Sequence, residues 1–174
     1  LRPLKDTLYD EMIKASDELR FEDAGKIYRR IKALNNYQSM SVMVSSKIID
    51  CDVFSTIIDE NVAFCNVLRV RRGAIVTLQT IRMDISIEAT EEDVLSTAIQ
   101  HIVDVANEGL APEVIVPKIP SAAPLFDKVK FIRPKIGEKA KLLNFSLKSA
   151  ETYRAEYMDE LEKHNPDRVA NRLM

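Results

Sequence analysis

Acidic residues are the side chains of this 174-residue sequence most able to do chemistry. Asp50 and Asp52 open one apolar stretch, and the acidic run 91–93 opens another. Carboxylates from several elements can hold two divalent cations about 4 Å apart and promote phosphodiester hydrolysis. The sequence argues against such a two-metal site. Thr90 precedes the acidic run as in a helix capping box, so these acids are explained by the start of a helix. Lys118 follows an apolar run at a position where a metal site would need a further acid. We expect no catalytic residue and no metal ligand, with a Mg²⁺-dependent nuclease as the alternative.

The cysteines and histidines offer no second catalytic arrangement. Cys51 and Cys65 lie in apolar stretches outside any CxxC pair. His101 and His164 have no ligand spacing around them, and such residues are more often ordinary surface residues than metal ligands. The four scattered glycines leave no phosphate-binding loop. We expect reduced, buried thiols, a cytoplasmic protein, no cofactor in this segment and no membrane association.

The segment 1–37 has the periodicity of two helices joined by a tight turn. One apolar stripe comprises Leu4, Leu8, Met12, Ala15 and Leu19, and the second comprises Phe21, Ala24, Ile27 or Tyr28, Ile31 and Leu34. Because almost nothing separates the stripes, the helices must fold back as an antiparallel hairpin. A lone pair of short helices is only marginally stable, so this hairpin should pack against a second one.

The segment 48–174 has the pattern of a mixed α/β domain, and 38–47 is a helix tail and linker. β-Branched and aromatic runs predict five strands, at 51–59, 62–72, 74–83, 113–117 and 129–132. The first three strands follow one another as a meander, and strands and helices then alternate, which is the ribonuclease H-like order. The predicted fold class is α+β, with a helical hairpin followed by a degenerate ribonuclease H-like domain that has a five-stranded mixed sheet.

Three helices accompany these strands. One begins behind Thr90 and stops near Gly109, a short one covers 121–127, and a long one runs from Gly137 to about Lys163. The apolar stripe predicted for the long helix comprises Leu143, Leu147, Ala150, Tyr153, Tyr157 and Leu161.

Basic residues gather at two places in the α/β segment. Arg69 and Arg71 share one face of the second strand, which must be partly exposed or covered by an acidic neighbour. Because the net charge is −2, any nucleic-acid-binding surface must be local. A basic cluster over 127–148 could follow a phosphate backbone, and its candidate DNA-binding residues are Arg133, Lys135, Lys139 and Lys141. A solvated strand edge and helix face would explain the cluster equally well.

The segment 10–34 resembles the UVR motif, a helix pair whose second helix starts with Phe-Glu. The matching residues, which the resemblance makes the candidate partner-binding set, are Met12, Ala15, Leu19, Phe21, Glu22, Ala24, Arg29 and Ile31. Gly25 and Arg30 depart from the motif, which usually has Ala and an acid at those positions. The alternative for Phe21 is that it serves only as the hairpin's own core.

The rest of the chain is similar to the UvrC family, which supplies one component of the bacterial UvrABC excinuclease. The shared features are an Asp-x-Asp strand opening at 50–52, a turn at Arg72-Gly73, a Pro-Glu strand over 112–116, and a stretch with Pro134, Gly137 and Lys139 before a long helix carrying Leu143 and Ala150. Ile136 and Ser149 depart from the family, which commonly has Arg and Asn there.

The resemblance implies the central region of a UvrC protein, which is the UVR motif plus an N-terminal, non-catalytic ribonuclease H-like segment. It implies that the hairpin docks onto UvrB, with self-association through the hairpin as a further option. It also implies damaged DNA as a partner of the assembled complex, and Mg²⁺ only in the nuclease domains of the parent protein. Since the chain begins with Leu1, we expect an excerpt of a longer protein. A UVR-type regulatory adaptor is the remaining alternative.

Overall fold

The computed structural model describes the backbone of residues 2–43 and 47–164, and the side chains of residues 5–35 and 47–164. The chain divides into two compact units, with the boundary between Ser45 and Ser46. The first unit is the predicted hairpin of α1 (Arg2–Asp17) and α2 (Phe21–Met43). α2 takes up much of the predicted linker 38–47, whose residues 44–46 lie outside the described part.

The seam of the hairpin follows the predicted stripes except at the turn, where Leu19 and Phe21 are exposed, and the side chain of Leu4 lies outside the described residues. Ala15 and Ile31 are buried, and Met12 is half-buried. Ile27 is half-buried while Tyr28 is exposed, so Ile27 continues the second stripe. The sequence did not decide which of these two residues belongs to the stripe, because both lie near the edge of one helical face. The angle at which α1 packs on α2 decides between them.

The second unit is built on a mixed sheet in the order β3-β2-β1-β4-β5. Its strands are β1 (Cys51–Asp59), β2 (Val62–Arg71), β3 (Ala74–Asp84), β4 (Glu113–Ile115) and β5 (Lys130–Ile132). β1, β2 and β3 form the predicted antiparallel meander, and β4 and β5 extend it in parallel beside β1. Arg72 and Gly73 both have positive φ, the backbone geometry of a type I′ hairpin turn.

Two long helices cover the sheet, α3 (Glu91–Ala106) and α4 (Glu138–His164). The short helix predicted over 121–127 is a single 3₁₀ turn, Ala123–Leu125. Phe54 of β1 belongs to the apolar core that includes the buried residues of α3, whereas its neighbour Ser55 contacts α4. Because successive strand residues point to opposite faces, α3 and α4 lie on opposite sides of the sheet.

The buried stripe of α4 shares Ala150 with the predicted stripe and otherwise differs from it. Leu142, Ser146 and Ala150 are buried, while Tyr153 and Leu161 are exposed. The Ser146 hydroxyl lies 2.7 Å from the Ser55 hydroxyl and donates a hydrogen bond to Asn66 Oδ1 at 2.8 Å. A polar group can be buried when its hydrogen bonds are made inside the protein. The apolar period could not identify this stripe, because its middle residue is a serine.

Candidate functional site

The turn between α1 and α2 carries the most exposed apolar side chains of the described hairpin. Leu19 has a φ of 59°, in the left-handed region. Its N–H donates to Ser16 O at 3.0 Å, and the N–H of Arg20 donates to Ala15 O at 2.8 Å. These two bonds are those of a Schellman motif, in which the left-handed residue is usually glycine. Leu19 is 73% exposed, so the strained backbone holds an apolar side chain in solvent.

Phe21, the first residue of α2, lies beside this turn and is 65% exposed. The alternative that Phe21 serves only as the hairpin's own core is therefore wrong. Arg20 stands between the two apolar residues, and its guanidinium pairs with Glu18 at 2.6 Å and Asp23 at 3.1 Å. We call Leu19 and Phe21 the tip patch. An exposed apolar pair in a strained turn has the properties of a contact surface, because strain of this kind is a reason to suspect a function.

The predicted partner-binding residues fall into three groups by exposure. Leu19, Phe21, Glu22 and Arg29 are exposed, Met12 and Ala24 are half-buried, and Ala15 and Ile31 are buried. Ala15 and Ile31 are therefore out of reach of a partner in this arrangement, and their contribution is to hold the seam. Sequence reasoning missed Tyr9 and Ile13, which are exposed and four residues apart on α1.

Asp52, the first candidate metal ligand, is fully buried and surrounded by nitrogen donors. Its Oδ1 accepts from Arg69 Nε at 3.1 Å and from an Arg71 guanidinium nitrogen at 2.7 Å. Its Oδ2 accepts from the backbone N–H of Ala111 at 2.9 Å. Asp52 is thus the acidic neighbour predicted to cover Arg69 and Arg71. Two arginines and one amide occupy its oxygens, so its role in this structure is to join β1 to β2 and to the loop before β4.

The other acids are also engaged with protein groups. Asp50 accepts from the backbone N–H of Arg72 at 2.8 Å, which ties the start of β1 to the β2–β3 turn. The Asp93 backbone N–H donates to Thr90 Oγ1 at 3.2 Å, so the predicted helix cap is confirmed. Hydrogen bonds with the hydroxyls of Thr90 and Ser121 hold the pKa of the Asp93 carboxyl below its usual range.

Lys118 provides the positive charge beside the first turn of α3. Its Nζ lies 3.4 Å from Glu91 and 3.8 Å from Glu92, while Glu91 also accepts from the Thr56 hydroxyl at 3.1 Å. The ammonium group therefore neutralises the two carboxylates from the end of β4. Within the ranges 5–35 and 47–164, whose side chains are described, no three His, Cys, Asp or Glu side chains converge to hold a metal ion.

The two thiols are free and buried, and neither is suited to attack a substrate. Burial raises the pKa of the Cys65 thiol to about 12. Burial, together with the nearby carboxylates of Asp52 and Glu113, raises the pKa of Cys51 to about 11. Both thiols therefore stay protonated near neutral pH, and a thiol is a much weaker nucleophile than a thiolate. None of the described helices combines the length and the apolarity needed to cross a lipid bilayer.

The candidate DNA-binding residues lie around β5 and the start of α4. Arg133, Lys135 and Lys141 are exposed. Lys139 is the exception, because its Nζ pairs with the Glu113 carboxylate at 2.6 Å. The Lys139 ammonium is thus already neutralised by a carboxylate, whereas the assignment of these four residues to DNA binding stays a prediction.

Residues 50–157 match the family described as the UvrC Ribonuclease H-like domain. UvrABC system protein C of Flavobacterium johnsoniae is 35% identical over 159 residues, which are 91% of this chain and 26% of that protein. The protein of the same name from Bacteroides fragilis is 35% identical over 168 residues, 96% of this chain and 27% of that protein. The chain thus spans about a quarter of the length of these relatives. With a family match over more than half of its residues, this chain belongs to the UvrC family.

Proposed function

We propose that this chain is the central segment of a UvrC protein, the endonuclease component of nucleotide excision repair, and that its hairpin docks onto UvrB. The observation that carries the proposal is the tip patch. Leu19 sits in a left-handed conformation that costs about 1–2 kcal/mol for a residue with a side chain, and the hairpin does not bury the side chain in return. A partner that covers Leu19 and Phe21 together would supply apolar burial that the hairpin alone does not make.

A second UVR hairpin is the partner whose chemistry fits this surface. Tyr9 and Ile13 on α1, and Phe21 and Tyr28 on α2, each share a face of their own helix and are exposed. Helical hairpins bury such residues by packing helix against helix. Self-association through the same hairpin would use the same side chains, so it belongs to the outcomes of the test below.

The test is the binding of Phe21→Ala to the UvrB protein of Flavobacterium johnsoniae, measured by calorimetry on the full chain. If Phe21 is a buried central anchor, the substitution should weaken binding by about 2–4 kcal/mol. Ile87→Ala is the matched control, since Ile87 is an exposed apolar residue of the other unit and should leave affinity unchanged. Equal affinities of Phe21→Ala and the parent chain would refute docking through the tip patch. Concentration-dependent sedimentation that is abolished in Phe21→Ala, without any binding to UvrB, would favour self-association instead.

We infer that the α/β unit is a non-catalytic spacer between the nuclease domains of the longer parent protein. The engagement of Asp52 by Arg69 and Arg71 supports this, because a carboxylate whose oxygens already accept four hydrogen bonds is poorly placed to ligate a cation. The purified chain should therefore bind no Mn²⁺ in calorimetric titration and should not nick bubble DNA with Mg²⁺ or Mn²⁺. Metal-dependent cutting that disappears in Glu91→Gln would make the unit a nuclease in its own right.

A further inference from the structure

The basic residues around β5 form a group of side chains without ionic partners. Six cations between residues 128 and 148 are exposed, and their side chains make no ion pair or hydrogen bond with any described residue: Lys128, Lys130, Arg133, Lys135, Lys141 and Lys148. We call this group the basic edge. Glu138 is the only acid in the same stretch.

Six other cations of the unit are matched with carboxylates. Each of the following residues forms an ion pair: Arg69, Arg71, Arg82, Lys118, Lys139 and Arg154. An ordinary solvated face would be expected to mix both signs, as these pairs do. We propose that the basic edge binds the sugar–phosphate backbone of double-helical DNA.

Folding brings one part of the basic edge next to the first turn of α4. Lys130 of β5 lies directly opposite Glu113 of β4 in the sheet register, and Glu113 in turn holds Lys139 of the first turn of α4. The start of β5 and the start of α4 therefore meet at Glu113. Since β5 is the last strand of the sheet, no further strand covers its outer side among the described residues.

Two cations of the basic edge share one face of α4. Lys141 and Lys148 are exposed and seven residues apart, so they stand on one face about 10.5 Å from each other along the helix axis. Both ammonium groups can therefore face one polyanionic ligand, and each phosphate of a DNA backbone offers such a group one negative charge. Asn144, between the two lysines, is exposed as well and can donate a hydrogen bond to a phosphate oxygen.

The aromatic residues of this region favour a duplex over a single strand. Proteins that hold single-stranded nucleic acid usually offer exposed aromatic rings on which bases stack. Phe131 is half-buried and packs edge-on against Phe126 with ring centroids 6.1 Å apart, and Phe145 is half-buried too. With no exposed aromatic ring among residues 128–148, all of which are described, the interactions available are those with phosphates.

The test measures binding of the full chain to a fluorescein-labelled duplex DNA by anisotropy, between 50 and 200 mM salt. The variant is the triple substitution Lys130→Gln, Arg133→Gln and Lys135→Gln. Each phosphate that is no longer neutralised should reduce the slope of log K against log salt by about 0.9, so the slope of the triple variant should be smaller by about 2–3. Its affinity at 50 mM salt should fall by about tenfold or more.

Lys139→Gln is the matched control, because Lys139 lies in the same stretch but is paired with Glu113. It should leave the slope unchanged. A triple variant that binds like the parent chain, or a Lys139→Gln variant that is weakened as much, would overturn the proposal. The proposal would also be overturned if the chain bound a single strand of the same length more tightly than the duplex. The same holds if polyglutamate displaced the labelled duplex more effectively than unlabelled duplex DNA does, and either result would assign the surface to a different ligand. The triple variant leaves the hairpin intact, so failure here is distinct from failure of docking to UvrB.

Discussion

Replacing Leu19 with glycine should move stability and affinity in opposite directions. Glycine removes the cost of a side chain at a φ of 59°, about 1–2 kcal/mol. The greater flexibility of the unfolded chain offsets about 0.4–1 kcal/mol of this gain. Because Leu19 is exposed, the hairpin loses almost no apolar burial of its own. The expected net effect is a gain in hairpin stability of about 0.5–1 kcal/mol.

Affinity for UvrB should fall in the same variant. Burying a leucine side chain at an interface contributes about 1.5–3 kcal/mol, which corresponds to a weakening of about tenfold to a hundredfold in Kd when the side chain is removed. Hydrogen exchange of the α1 and α2 backbone amides in the full chain measures the stability of the hairpin, and calorimetric titration measures the affinity.

Leu19→Ala separates the two effects. Alanine keeps a Cβ in the left-handed region, so the strain remains, while most of the apolar side chain is gone. It should weaken binding about as much as glycine does and give no gain in amide protection. Faster exchange in Leu19→Gly would show that the turn is not strained by its side chain. Unchanged affinity in both variants would remove Leu19 from the contact surface and leave its backbone geometry without a functional reason.

Two further pairs of substitutions test what stabilises each unit by itself. Gly25→Ala should stabilise α2 by about 1 kcal/mol in thermal unfolding, because a Cβ there meets no atom within 4 Å and alanine is the better helix former. Gly137→Ala should instead destabilise the α/β unit, because Gly137 has a φ of 87°, which disfavours a residue with a side chain. Asp52→Asn should cost about 3–5 kcal/mol in urea unfolding, because the buried Arg69 guanidinium loses its buried counter-charge and keeps only the exposed Glu108 at 3.4 Å. The control Asp50→Asn weakens one exposed hydrogen bond, and an equal destabilisation by both variants would contradict this reasoning.

Most helices and strands could be predicted from the sequence, because each produces a regular repeat of apolar residues over a short stretch of chain. The turn at Arg72-Gly73 and the cap at Thr90 depend on residues a few positions apart, and both are confirmed. The buried stripe of α4 was missed at Ser146, since its burial depends on a hydroxyl 91 residues away on β1. The pairing of Lys139 with Glu113 was missed for the same reason, because β4 and the start of α4 meet only in the folded chain.

The amino-acid sequence alone predicted the hairpin, the meander, the α+β class and the likeness to UvrC. It could do so because apolar periodicity and short motifs reflect the backbone conformations that neighbouring residues prefer. Only the tertiary structure decided which of the charged groups named above are paired. The sequence alone does not distinguish Asp52, whose charge is paired, from the six cations of the basic edge, whose charges are not. Folding pairs Asp52 with two arginines, whereas no cation of the basic edge forms an ion pair with a carboxylate of the described residues. Electrostatic partners are chosen by distance in space, so their identity follows from the way the strands and helices come together.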